Sequence, residues 1–303
     1  MAYLQLGLDA YSPREISEKI QSVGVSKARL SFVQTAMLGV LAGAFIGLGA
    51  LYFTIVASDA TLGFAATRVL GGFVFSLGLV LVSVGGAELF TGNNLMVMAW
   101  ADRKITAAEL LRNWSVVYVA NAVGAVGLAV TVYLANHGAM NGGAVGAAYV
   151  KIAAAKTALP FAEAFFKGVL CNVLVCLAVW LAMAGHTVVD KILAIVFPIS
   201  AFVAAGFEHS VANMYFIPLG MLFADTVTLP ATVNVASLGW EGLASNLIPV
   251  TLGNIVGGAG MVALVYYLVY RQPARAEPRT GVERTRATDS TAGPAKAGEQ
   301  PPA

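Results

Sequence analysis

The chain has 303 residues, of which 58% are hydrophobic and only 11% charged, with a formal net charge of +2. Soluble proteins carry about 25% charged residues, and here the few charges crowd the ends: seven lie in 1–29, ten in 271–303 and seventeen in the 241 residues between. A soluble globular fold does not need that distribution, and the net charge is too small to suggest a nucleic-acid partner.

Taken in order, residues 1–29 form a polar leader. Asp9, Glu15 and Glu18 fall where a cleavable signal would need its apolar core, so the first span is expected to act as its own signal. Ser12-Pro13-Arg14-Glu15 fits a capping box with proline at the first helical position. Ile16, Ile20 and Val23 share one face, which predicts an amphipathic surface helix over 12–23. Six spanning segments follow, near 30–58, 67–101, 107–136, 157–185, 190–224 and 243–270. The tail after Tyr270 has five prolines and valine as its only large aliphatic residue, a composition expected to be disordered. Trp100, Trp114, Trp240, Tyr266, Tyr267 and Tyr270 sit near span ends, as interfacial aromatics do. Three domains are therefore expected: the segment 1–29, a six-span transmembrane domain over 30–270, and the tail 271–303.

Basic residues set the orientation. Fourteen, including Arg14, Lys19, Lys27, Arg29, Arg103, Lys104, Arg112 and Lys191, fall on the side that holds both termini. Arg68, Lys151 and Lys156 fall opposite, with Lys167 inside the fourth span. The positive-inside rule then puts both termini of this multi-pass chain in the cytoplasm.

The second and fifth segments look alike. Residues 69–101 are free of charge except for Glu88, and 192–224 except for Glu208. Each glutamate follows a Gly-x, in Gly86-Ala87-Glu88 and Gly206-Phe207-Glu208, and an asparagine comes five residues later, Asn93 and Asn213. A membrane core needs about 20 helical residues, so these 33-residue windows are too long for one straight span. A polar break is tolerated only where the backbone is buried in protein or lines a cavity. Weaker echoes pair Gly39-Val40-Leu41 with Gly168-Val169-Leu170, and Asn121-Ala122-Val123-Gly124 with Asn254-Ile255-Val256-Gly257. Three spans per half, an odd number, make the repeats (about 30–136 and 157–270) inverted, with the two breaks meeting near the midplane. Gly39, Gly43, Gly47, Gly253 and Gly257 would let helices approach closely. The expected fold is an all-α polytopic membrane protein of six transmembrane helices, a 3+3 inverted repeat with broken second and fifth helices.

The runs A-E-L-F-T-G-N at 87–93, F-E-H-S-V-A-N-M at 207–214 and N-L-I-P-V-T-L-G-N-I-V-G-G at 246–258 resemble the formate/nitrite transporter family. The likeness covers about 12–270. It is nearest to formate channels through 207–220, while F-F-K-G-V-L-C-N at 165–172 leans toward the nitrite branch. The resemblance implies an aquaporin-like inverted repeat, a homopentamer with one pore per subunit in the lipid bilayer of the cytoplasmic (inner) membrane, no cofactor, and a small monovalent anion such as formate, nitrite or hydrosulfide as cargo. It also implies that His209 and Thr91 face each other across the pore with Asn172 nearby. Phe75, Leu79, Leu89, Phe90 and Phe202 would form its apolar constrictions, and Lys156 would mark an outer anion funnel.

From the residues alone, His209 is a titratable group within a membrane segment. It could exchange a proton with a weak-acid anion, or it could bridge two helices as a satisfied structural histidine. Thr91 offers one hydroxyl. Glu88 and Glu208 would accept backbone donors freed at the breaks, or serve a proton relay. Phe75 and Leu79, four apart, share a helix face. Lys167 would either snorkel outward or add positive potential to the pore mouth. Cys171 and Cys176 are spaced for neither a metal pair nor a redox motif, and His137 and His186 fall in loops. Two other readings compete: a neutral-solute pore, which lacks Asn-Pro-Ala at both breaks, and an intramembrane enzyme using His209 with Ser210 or Glu208.

Overall fold

The computed structural model describes residues 10–270; the tail expected to be disordered lies outside the described residues. Helix α1 spans Pro13–Ala28, and its start is the capping box anticipated at Ser12 and Glu15. It runs five residues beyond the expected surface helix. It is also no free surface element: Ile16, Ile20 and Ala28 are buried among Leu95, Met98, Ala99 and Ala259. The amphipathic face had an apolar partner available in the same chain, and burying it there is favourable at about 25 cal/mol per Å².

Among the described residues, six helices are long and apolar enough to cross a membrane, and no strand occurs. The first is α2 (Phe32–Ala57). The second is split into α3 (Phe64–Phe75) and α4 (Leu77–Gly85), then continues past a break as α5 (Phe90–Asn93), a 3₁₀ turn and α6 (Val97–Ala101). The third is α7 (Ala107–Leu134). A shorter helix α8 (Ala144–Thr157) precedes the fourth span, α9 (Phe161–Ala184). The fifth is α10 (Val188–Ala205) followed past its break by α11 (Ser210–Phe223). The sixth is α12 (Trp240–Ile255), which runs through a π-helical stretch (Val256–Leu264) into α13 (Val265–Tyr270). Capping boxes like that of α1 start α2 (Ser31, Gln34), α7 (Thr106, Glu109) and α10 (Thr187, Asp190).

Both breaks have one cause. Helix α4 ends at Gly86 (φ 80°) and α10 at Gly206 (φ 76°), left-handed residues that close a helix with little strain only as glycine. The backbone then runs extended through Leu89 and His209 before the next helix begins. Residues on opposite sides of a break therefore project toward a common centre.

The repeats pack by equivalent contacts. Helix α2 crosses α7 so closely that a Cβ on Gly124 would fall on the Val40 carbonyl oxygen, and a Cβ on Gly257 would fall likewise on that of Val169 in α9. These glycines serve crossings within one subunit.

Trp114 also departs from its expected interfacial role. Its indole N–H turns inward and donates to the Asn93 carbonyl at 3.0 Å.

Candidate functional site

Each break is held by the same polar scaffold. At the first, Asn121 of α7 accepts from the Phe90 N–H (2.9 Å) and donates to the carbonyls of Gly39 (2.7 Å) and Glu88 (2.9 Å). At the second, Asn254 of α12 accepts from the Ser210 N–H (3.0 Å) and donates to the carbonyls of Gly168 (2.8 Å) and Glu208 (3.0 Å). One amide thus satisfies the groups that a broken helix exposes in a solvent-poor interior.

The glutamates were expected to take those backbone donors and do not. Glu88 accepts from Lys27 Nζ (2.8 Å) and Asn93 Nδ2 (2.7 Å). Glu208 accepts from Lys156 Nζ on both oxygens (2.9 and 3.0 Å) and from Asn213 Nδ2 (2.7 Å). Asn93 reaches on to Asn113 Oδ1 (2.9 Å), and Asn213 to Asn246 Oδ1 (2.7 Å). A buried carboxylate is better compensated by a full cation than by neutral N–H groups, so the asparagines cap the backbone and the lysines neutralise the acids.

The scaffold is symmetric but its contents are not. Where the first break presents Leu89, the second presents His209. The imidazole Nδ1 accepts from the Ala212 N–H (3.1 Å), capping α11. That acceptor role puts the proton of the neutral ring on Nε2. Nε2 lies 2.9 Å from Thr91 Oγ1, to which it donates, leaving the threonine hydroxyl hydrogen for another acceptor. His209 is 3% exposed and Thr91 fully buried. Phe202 stacks over the imidazole at 6.0 Å and meets Phe75 edge-on at 5.7 Å.

Two cavities approach this pair from opposite sides, and no residue lines both. One, of about 400 Å³, is lined by Lys27, Glu88, Asn93, Lys191 and the face of α1 at Val23 and Gly24, and reaches inward to Leu79 and Leu89. The other, of about 260 Å³, is lined by Arg68, Lys156, Lys167 and Glu208, and reaches inward to Phe75, Phe202 and His209. Phe75 and Leu79 thus line opposite cavities from either side of the interruption at Ser76.

The sequence profile of the formate/nitrite transporter family matches residues 14–268. The chain belongs to that family. It is 37% identical over 271 residues to the formate channel FocA of Escherichia coli K12, covering 86% of this chain and 95% of that one. It is 39% identical over 283 residues to a probable formate transporter of Methanothermobacter thermautotrophicus, covering 88% and 99%. Among solved structures it is similar to a pentameric formate channel with formate bound, with a TM-score of 0.73 and 36% identity over 80% of this chain and 98% of that one.

Two of the family-derived site residues sit differently from expectation. Phe90 lines neither cavity; its ring packs edge-on against Tyr118 (4.9 Å) and Trp114 (6.1 Å), because the first residue of α5 points away from the path that Leu89 faces. Asn172 lies behind Thr91, donating to Asn94 Oδ1 (2.9 Å), the Asn254 carbonyl (2.7 Å) and, at 3.3 Å, the Thr91 carbonyl. It braces the backbone of the break. Lys167 lines the second cavity and is paired to Glu163 one turn earlier at 2.7 Å.

Lys27, Asn113 and Asn246 were not singled out by sequence. The asparagines had a readable signal, each being an amide inside an apolar span. Lys27 had none, since it reads as one more basic residue of an amphipathic helix. Cys171 and Cys176 are free and buried, and Cys176 Sγ donates to the Thr91 carbonyl at 3.4 Å. The two histidines placed in loops are engaged: His137 Nδ1 is 3.3 Å from the Tyr149 hydroxyl, and the His186 ring lies tilted against that of Tyr11 at 4.2 Å between centroids.

Proposed function

We propose that this chain conducts small monovalent weak-acid anions, formate first among them, between its two cavities, with His209 and Thr91 as the polar contact midway. The observation that carries this reading is the His209–Thr91 pair at 2.9 Å, buried between Leu79 and Leu89 on one side and Phe75 and Phe202 on the other. An anion entering an apolar constriction loses its hydration at a cost that a neutral species largely escapes. A histidine at that point supplies either a proton to the anion or a hydrogen bond to it, and the Thr91 hydroxyl supplies a second donor. The paired lysines and glutamates, Lys27–Glu88 and Lys156–Glu208, hold the two breaks and keep their own charges neutral. The working unit is a homopentamer in the cytoplasmic membrane with both termini cytoplasmic, supported by the similarity to a pentameric formate channel and by the charge asymmetry of the loops.

An enzyme built on His209 fits the geometry less well. Nδ1 is committed to the Ala212 N–H, and Ser210 Oγ has no hydrogen-bond partner, so no nucleophile–base pair exists there.

The test is uptake into liposomes containing the purified protein. Formate and nitrite should enter and sulfate and sugars should not, and native mass in mild detergent should correspond to five chains. Equal flux of a divalent anion, or of water and glycerol without anions, would refute the reading.

A further inference from the structure

The cavity on the His209 side holds three basic side chains, and two of them are already spoken for. Lys156 is gripped by both oxygens of Glu208, and Lys167 by Glu163. Arg68, near the middle of α3, makes no ion pair among the described residues. Its Nε is buried without a hydrogen-bond partner, and the guanidinium lies over the Phe64 ring, 5.7 Å from its centroid. The group lies over the second break, with Nη2 only 2.8 Å from where a Cβ on Gly206 would stand. Glycine at 206 therefore does two things: it closes α10 and it leaves room for the guanidinium beside the approach to His209.

We propose that Arg68 is the docking and selectivity residue of this cavity, holding a planar oxyanion by its guanidinium before the anion reaches His209. The inference rests on the anion-conducting reading above. Paired lysines contribute little net potential, whereas an uncompensated cation in a concave site raises the local anion concentration. A guanidinium is a planar fork whose donors match two oxygens of one carboxylate, a match an ammonium cannot make. Arg68 thus favours formate and nitrite, with two oxygens apiece, over single-centre anions such as hydrosulfide.

The experiment compares wild type with Arg68→Gln, Arg68→Lys and Glu163→Gln in liposomes, with oligomer mass checked for each. Initial uptake of formate and of hydrosulfide is measured against concentration at low and high salt. Arg68→Gln should raise the half-saturating formate concentration by about threefold or more at low salt, and the difference should shrink at high salt as screening removes the potential. Arg68→Lys should recover the salt-sensitive attraction while losing the preference for formate over hydrosulfide. Glu163→Gln frees Lys167 and should lower half-saturation at low salt, a readout independent of whether the Arg68 variants assemble. Unchanged half-saturation and selectivity in Arg68→Gln, with wild type conducting normally, would overturn this inference alone. Absence of anion flux in wild type would instead overturn the function on which it rests.

Discussion

His209→Asn separates the chemical role of the imidazole from its structural one, because the two nitrogens do different work. Nδ1 caps α11 through the Ala212 N–H, and asparagine is among the best residues at an N-cap. The substituted amide oxygen can keep that contact, so the fold loses only the Nε2–Thr91 bond, about 1 kcal/mol, and the oligomer should assemble. Asparagine does not titrate, so any dependence of uptake on protonation of this site disappears. A single titrating group changes occupancy by at most about tenfold per pH unit; wild-type uptake should approach that slope over some part of the range, and the variant should be flat. His209→Phe should be flat as well and slower, since it also forfeits the cap, another ~1 kcal/mol, and the donor to the anion. The assay is formate uptake into liposomes across pH steps, with assembly followed by size-exclusion chromatography. If His209→Asn keeps the wild-type rate and pH profile, His209 is a structural bridge and the proposed mechanism is wrong even though family membership stands.

Further consequences follow from the same contacts. Thr91→Val should cut flux without moving the pH midpoint, since the lost hydroxyl binds but does not ionise; a shifted midpoint in the same uptake assay would contradict this. Lys156→Met leaves Glu208 buried and uncompensated and should destabilise by about 3–5 kcal/mol, whereas Lys156→Met with Glu208→Gln should recover much of that loss. Thermal dissociation of the oligomer reads the difference, and equal losses in single and double variants would refute the pairing argument. Asn121→Ala and Asn254→Ala each strand one break carbonyl (Glu88 or Glu208) and one N–H (Phe90 or Ser210). Each orphaned group costs about 1–3 kcal/mol, so both variants should be severely and comparably destabilised in the same measurement.

What could be read from the sequence was what has a local signature. A lone glutamate in a 33-residue apolar window, preceded by Gly-x and followed by asparagine, marks a break because the membrane tolerates no other arrangement. The position of His209 followed from the same window. The partners did not follow. Lys27 meets Glu88 across 61 residues of chain, and nothing in its own surroundings distinguishes it from Arg14 or Arg29 on the same side. The helix α8 was missed because its start merges with the charge-free run 113–150, which periodicity assigns to the preceding span and a loop. Of the two neighbours expected in the constriction, Leu89 lines a cavity and Phe90 packs on Trp114 and Tyr118, because next to a break adjacent side chains point to different places.

The structural symmetry explains why one histidine is enough. Two equivalent scaffolds, Asn121 with Lys27–Glu88 and Asn254 with Lys156–Glu208, use their polar groups on one another. Each break thereby has its glutamate paired with a lysine and its freed backbone groups hydrogen-bonded to an asparagine before any cargo arrives. The side chains that project from the breaks toward the centre are then free to differ, and they do: leucine from one, histidine from the other. A second histidine in place of Leu89 would set two titratable rings close together in a low-dielectric site, where protonation of one would oppose protonation of the other. With Leu89 instead, His209 is the only titratable group among the described residues between the two apolar pairs, and the cavity it lines is the one that holds Arg68. The direction of the asymmetry is thus set by which break carries the histidine, and the unpaired guanidinium stands on that same side.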